Sequence, residues 1–253
     1  MAKLVWRGPF GFNIKLLDVG HLYYGVDYTA TSSLYAVDYG SGDRDEFRGR
    51  GFTFALDGTP TGGVVTSYAN FQGGAKLGTV DGVSIPVQSL VKAARTYSVS
   101  DDYALFRSAL SGNDVITGGS GDDRLEGFAG NDRITGGLGG DSLYGGSGAD
   151  RFIFRSISDS NLDGDGCDFI YGFSAKQKDR IDLARIDADA TRSGNQAFSF
   201  VGAKEFSGKA GELRYEKVSG YTWVEGDVDG DGIADFSLAL KGSLNVAKGY
   251  FYL

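Results

Sequence analysis

The sequence predicts a mainly β protein in three parts: a small α+β N-terminal region, a parallel solenoid of very short strands, and a C-terminal β-sandwich that caps it. Three observations lead there. Of 253 residues, 41 are glycine and only 3 are proline, so turns are unusually dense. A nine-residue pattern recurs five times between residues 109 and 153. Beyond residue 151 the chain reads as short alternating runs separated by turn residues, as sandwiches do. There is no Gly-X-Y period, which excludes collagen, and 41% hydrophobic with 13% aromatic residues is too apolar for a wholly disordered chain.

Written in phase, the repeats begin at Ala109, Gly118, Gly127, Gly136 and Gly145. Aspartate recurs at Asp114, Asp123, Asp132, Asp141 and Asp150, and a large apolar residue follows two positions later: Ile116, Leu125, Ile134, Leu143 and Phe152. A six-residue glycine-rich loop turns the chain, and a three-residue strand sends its middle side chain inward. Two such units complete one coil, so loops on one edge repeat every second unit. Asp114 then stacks near Asp132 and Asp150, and Asp123 near Asp141. Carboxylates stacked at one strand spacing, roughly 4.8 Å, repel unless a cation lies between them. Loop carbonyls supply further oxygens, and an all-oxygen cage suits Ca²⁺ better than the stricter octahedron of Mg²⁺. The candidate ligands are those five aspartates, the side chains of Asn113, Asp122 and Asn131, and the loop positions Gly118, Ser120, Gly127, Ala129, Gly136, Leu138, Gly145 and Ser147. Asp159 and Asp168 follow Asp150 in the same phase, and Ile170 follows Phe152, which extends the coil to Ile170 and adds both aspartates as candidates.

Charge agrees with a cation as partner. The net charge is −8, and residues 1–108 are neutral, so the negative excess lies entirely beyond them. A nucleic-acid partner is not expected, because Arg44, Arg48 and Arg50 form the densest basic group and alternate with Asp43, Asp45 and Glu46. One cysteine, Cys167, allows no internal disulfide, and one histidine, His21, leaves almost nothing for zinc, haem or imidazole catalysis. No apolar run approaches the ~18 to 20 residues of a bilayer helix. The first apolar run breaks at Arg7 to Pro9 and lacks the core of a secretory signal. The expectation is a cytosolic protein, or one exported without an N-terminal signal.

The nonapeptides resemble those of the RTX (repeats-in-toxin) proteins. That resemblance implies a β-roll, unfolded in the low calcium of the cytosol and folded in the millimolar calcium outside. It also implies export through a type I secretion machinery that reads an uncleaved C-terminal signal. Asp179-Arg-Ile-Asp-Leu183, the run from Phe206 to Tyr215, and the run from Asp227 to Phe236 are similar to the C-terminal domain of serralysin-type secreted metalloproteases. The implied architecture is a roll with a sandwich cap, without proteolysis, since His-Glu-x-x-His is absent. Expected domains are 1–108, 109–170 and 171–253.

Asp227, Asp229 and Asp231 occupy the first three ligand positions of an EF-hand-like loop and Asp235 the ninth, but Leu238 stands where a bidentate Glu belongs. A second calcium site and a tight polar hairpin are both open there. The segment from Asp163 to Asp168 is a weaker echo. The terminal run from Lys248 to Leu253 serves as a last strand, an export signal, or both.

Residues 1–108 say least. Strands are expected at 51–56 and 64–71 around a hairpin loop, then a helix with Pro86 in its first turn and Val87, Leu90, Val91 and Ala94 on one face. A second helix is expected from Asp101 to Leu110, with Ser100 as N-cap. Both helices are expected to cap the roll. Sixteen aromatic residues lie in this region, and Tyr23, Tyr24, Tyr28, Tyr35 and Tyr39 are read either as a sugar-binding platform or as strand-face packing. Asp43, Asp45 and Glu46 offer a carboxylate pair for glycosidic cleavage, or a solvated turn. The functional expectation is a secreted, calcium-folded protein with no catalytic residues, whose N-terminal module binds an extracellular or cell-surface polysaccharide. A small glycan-active hydrolase, lyase or epimerase and a self-associating matrix protein are the alternatives.

Overall fold

The computed structural model describes residues 1–96, 98–162 and 165–253. The chain separates into two compact units, Met1–Gly8 with Asn13–Val115, and Pro9–Phe12 with Ile116–Leu253. Strands dominate both, as the sequence predicts.

The first unit holds β1 (Lys3–Trp6), β2 (Asp27–Ala30), β3 (Leu34–Gly40), β4 (Asp43–Phe54), β5 (Pro60–Gln72) and β6 (Ala75–Pro86), followed by α1 (Val87–Ala94) and α2 (Val99–Ala109). Strands β2 to β6 form an antiparallel meander and β1 adds to the free edge of β6. Alternation sets Leu4, Val80, Tyr68, Phe47 and Tyr35 in register on one face, and Leu4, Val80, Phe47 and Tyr35 are buried there. Both expected strands exist but run longer. The hairpin loop is correspondingly tighter, with Asp57 Oδ1 accepting the Thr59 N–H at 2.9 Å. Pro86 stands at the N-cap of α1 rather than within its first turn, because it still has the extended backbone of β6. Helix α2 begins two residues earlier than expected: Ser98 caps it, its Oγ accepting the Ser100 N–H.

The strand β7 (Val115–Thr117) begins on the last residue of the first unit, and the second unit then holds β8 (Arg124–Glu126), β9 (Arg133–Thr135), β10 (Ser142–Tyr144), β11 (Arg151–Ile153), β12 (Asp168–Tyr171), β13 (Arg180–Asp182), β14 (Ser199–Gly202), β15 (Glu212–Val218), β16 (Tyr221–Asp227), β17 (Phe236–Lys241) and β18 (Phe251–Tyr252). Parallel strands β9, β11, β13 and β18 line one side of a roll, and β8, β10, β12 and β17 the other. The second sheet continues through β16 and β15 in antiparallel pairing and ends on β14. Middle residues form two inward columns, Leu125–Leu143–Ile170–Leu240 and Ile134–Phe152–Ile181–Phe251. Ile116, Leu125, Ile134, Leu143 and Phe152 are all at most 1% exposed, as the nine-residue period requires.

The phase beyond Phe152 departs from the sequence reading. Ile170 pairs with Leu143, on the opposite side from Phe152, and Ile181 takes the place beside Phe152. The connection from β11 to β12 contains a 3-10 turn at Ile157–Asp159, so a length that elsewhere makes a full coil here makes half of one. The columns do not stop at Ile170, since Leu240 and Phe251 extend them.

Leu143→Ala is expected to destabilise the calcium-loaded protein by about 3 kcal/mol, because a fully enclosed column position leaves a cavity. Leu138→Ala, at a loop residue 47% exposed, is expected to change stability by less than about 0.5 kcal/mol. Equal losses in chemical denaturation would contradict the packing described.

Candidate functional site

The repeat aspartates each sit on the last loop residue before a strand, and their carboxylates form two ladders along the roll. On one side the Asp123 N–H donates to Asp141 Oδ1 at 2.8 Å and the Asp141 N–H to Asp168 Oδ1 at 2.9 Å. On the other, the Asp132 N–H donates to Asp150 Oδ1 and the Asp150 N–H to Asp179 Oδ1, each at 3.0 Å. Phe12 supplies the opening N–H to Asp123 Oδ1 at 2.6 Å, and the Asp168 N–H donates to the buried Ser160 Oγ at 2.8 Å. In the first unit Asp114 Oδ1 accepts the Ala2 N–H. These carboxylates are all at most 2% exposed.

The second oxygen of each carboxylate explains the leading glycine of the repeat. A Cβ on Gly118, Gly127, Gly136 or Gly145 would collide with the carboxylate of Asp123, Asp132, Asp141 or Asp150 in the same repeat. Asp123 Oδ2 accepts the Gly119 N–H at 2.6 Å. Oδ2 of Asp141, of Asp150 and of Asp168 is buried and has no hydrogen-bond donor. The residue before the ladder aspartate repeats the same device: Asp122 Oδ1 accepts the Gly140 N–H at 3.0 Å, and Asn131 Oδ1 the Ala149 N–H at 2.8 Å. Ala129 and Ser147 bridge in parallel, and the Ser147 carbonyl accepts the Gly130 N–H at 2.8 Å. Ser120 and Leu138 are exposed, and Leu138, whose side chain is aliphatic, offers a cation only its backbone oxygen. Asn113 is exposed, in the first unit.

Asp168 joins the Asp141 column rather than that of Asp150, and Asp179 takes the Asp150 column instead. The long β11–β12 connection shifts the phase. Asp179 was legible, because Asp179-Arg-Ile181 repeats Asp132-Arg-Ile134, but its irregular spacing hid it. Asp159 lies on the 3-10 turn, its Oδ2 accepting the Arg155 N–H at 2.7 Å, and its charge bears on both Asp141 and Asp168.

Burial governs the protonation of the ladders. It pushes Asp141 up to about 8 and Asp150 up to about 6, and it raises Asp168, Asp123 and Asp179, with neighbouring carboxylates adding to the rise at Asp141, Asp168 and Asp150. Buried oxygens without donors are costly, and a cation supplies the missing positive partner. The donor set is all oxygen. The residues therefore fit Ca²⁺.

A second cluster closes the β16–β17 hairpin. Carboxylate oxygens of Asp227, Asp229 and Asp235 lie within 4.8 Å of one another. Asp227 is fully buried and takes the N–H groups of Gly230 at 2.6 Å and Gly232 at 3.0 Å, while Asp235 Oδ2 takes that of Val228 at 2.8 Å. Asp231 stays outside, its Oδ1 accepting the Ile233 N–H. Leu238 is buried inside β17, so no twelfth-position ligand can form. Asp163 and Gly164 lie outside the described residues. Cys167 is buried, and burial with Asp168 beside it lifts its thiol to about 11.

In the first unit Asp43, Asp45 and Glu46 all lie on β4 rather than in a turn. Asp45 and Glu46 are adjacent on β4 and so face opposite sides of the sheet. Asp45 accepts the hydroxyls of Tyr39 at 2.9 Å and Tyr68 at 2.8 Å and the Asn70 amide at 3.0 Å. Burial, then the Asp45 charge, raises both phenols, so neither is a ready base. Glu46 is held by Arg44 and Arg48, each at 3.0 Å, and Asp43 Oδ1 accepts the Gly73 N–H. Of the five candidate platform tyrosines, Tyr23, Tyr24 and Tyr28 are exposed. Tyr35 is buried and stacks on Tyr28 with ring centres 6.3 Å apart.

Residues 106–251 match the family described as Peptidase M10 serralysin C terminal. The match spans more than half of the chain, which belongs to that family. Two solved structures are similar: the AlgE6R3 and AlgE6R2 subunits of the Azotobacter vinelandii mannuronan C5-epimerase. The first is 28% identical, covers 56% of this chain and 74% of its own, and has a TM-score of 0.40. The second is 24% identical, covers 56% and 88%, with the same TM-score of 0.40. No curated protein matches. No described helix is long and apolar enough to cross a membrane.

Because burial makes Asp123, Asp141, Asp150, Asp168 and Asp179 titrate higher in the fold than the ordinary aspartate value of about 4, these carboxyls favour the fold while protonated and oppose it once ionised. Without calcium, the thermal midpoint is expected to fall between about pH 5 and about pH 8; saturating calcium is expected to abolish or reverse that slope. A chelated protein that gains stability with rising pH over this window would contradict the assignment.

Proposed function

We propose that the second unit is a calcium-binding β-roll of a secreted protein. Its ions are held by the Asp132–Asp150–Asp179 and Asp123–Asp141–Asp168 carboxylates, with Asp122, Asn131 and the loop oxygens of Gly118, Ser120, Gly127, Ala129, Gly136, Leu138, Gly145 and Ser147 completing the shells. The observation that supports this best is the set of buried, donorless oxygens on Asp141, Asp150 and Asp168. Asp159 and the Asp227, Asp229 and Asp235 cluster are further positions for the same ion, with Asp231 at its rim. Each ion would neutralise carboxylates that repel at one strand spacing, so the roll folds where calcium is millimolar. Family membership supports export by a type I machinery and an extracellular location.

The first unit is proposed as the module that gives the exported chain its partner, an extracellular or cell-surface polysaccharide. Exposed Tyr23, Tyr24 and Tyr28 offer apolar ring surface with hydroxyls for sugar stacking.

Calorimetric titration of the chelated chain is expected to give at least two bound ions together with a gain in β circular dichroism; fewer than two contradicts the roll assignment. Asp141→Asn is expected to weaken the tightest ions by about tenfold or more, since one charged ligand is removed. Incubated with acidic and neutral polysaccharides, the calcium-loaded chain is expected to bind saturably and release no new reducing or unsaturated ends. New ends would make the first unit catalytic.

A further inference from the structure

The first unit has a cavity of about 370 Å³ between the exposed side of α1 and the start of β5, lined by Thr59, Pro60, Thr61, Gln88, Val91, Lys92 and Arg95. Gln88, Lys92 and Arg95 recur at four and three residues along α1, so one stripe of the helix supplies an amide and two cations. Across from them, Thr59 and Thr61 bring hydroxyls, Thr61 Oγ1 already lying 2.9 Å from Thr53 Oγ1. Pro60 and Val91 give an apolar floor. Cations near a helix C-terminus complement its dipole, which accounts for the charges alone. It does not account for their convergence on a cavity that no acid lines, in a chain of net charge −8.

Both cations are available. Among the described residues neither Lys92 nor Arg95 makes an ion pair. Arg95 Nε donates to the Tyr23 hydroxyl at 3.3 Å, and the fully exposed Asp57 brings negative charge toward it. That hydrogen bond ties the cavity to Tyr23, one of the exposed rings. A cationic, hydroxyl-lined cavity of this size, with an aromatic ring at its edge, matches a sugar ring that bears a carboxylate.

We infer that this α1 cavity is the saccharide subsite of the first unit and that its ligand is a carboxylated glycan, a uronate-containing chain. Lys92 and Arg95 pair with the ring carboxylate, Gln88, Thr59 and Thr61 bond to ring hydroxyls, and Tyr23 covers the adjoining residue. This rests on the polysaccharide reading above and adds the site and the ligand charge.

The test uses the full calcium-loaded chain with trigalacturonate, too short to gel with calcium, and its carboxyl-reduced neutral counterpart. The expected result is saturable binding of trigalacturonate at least about tenfold tighter than of the neutral trisaccharide, weakening with salt. Lys92→Ala with Arg95→Ala, and separately Lys92→Glu with Arg95→Glu, are expected to abolish that preference, while circular dichroism and calcium uptake stay unchanged. Equal binding of both trisaccharides, or a preference that survives both double variants, overturns the α1 subsite and leaves the polysaccharide reading standing. Absence of binding to these and to every polymer in a wider panel overturns both.

Discussion

One constraint shapes the second unit: each buried aspartate must offer one oxygen to the backbone of the neighbouring coil and still find a positive partner for the other. The first half is met within the chain, by the N–H groups of Asp123, Asp132, Asp141 and Asp150. The second half is not, at Asp141, Asp150 and Asp168. Much else follows. The leading glycines must lack a side chain because the carboxylate folds over them. The repeat strands β7 to β11 are three residues long because loops rather than sheets carry the polar ligands. The apolar columns are narrow, one residue per strand, so packing alone gives a small core and electrostatics decides whether the roll closes.

The ends of the ladders show how the chain manages this charge without repeats. Residues Pro9–Phe12 leave the first unit's sequence neighbourhood to lie with the second, and Phe12 serves as the first rung, its N–H on Asp123 and its carbonyl accepting the Arg124 N–H at 2.6 Å. At the other end the Ser160 hydroxyl, fully buried, replaces a further carboxylate beneath Asp168 and passes its own hydrogen to the Ser237 carbonyl. A neutral group there lets the column finish without another unpartnered charge.

Much of the roll was legible in the sequence, because a period of nine with fixed Asp and apolar positions leaves one geometry that buries every apolar residue. Inward Ile116 through Phe152 and the stacking of Asp123 on Asp141 follow from it directly. The columns of Asp168 and Asp179 did not, because counting residues assumes equal loops and the β11–β12 connection is longer. The first unit was less legible for a different reason. Strands and helices could be placed from alternation and caps, but bulges near Gly49 and Asp38 reset which residues face together. The Asp45 network with Tyr39, Tyr68 and Asn70 joins three strands and has no local signal.

The most direct test of the central claim is anomalous diffraction from crystals of the full chain grown in calcium. Anomalous peaks are predicted within bonding reach of Oδ2 of Asp141, Asp150 and Asp168, repeating along each ladder. A folded roll whose carboxylate ladders carry no anomalous density would contradict the account.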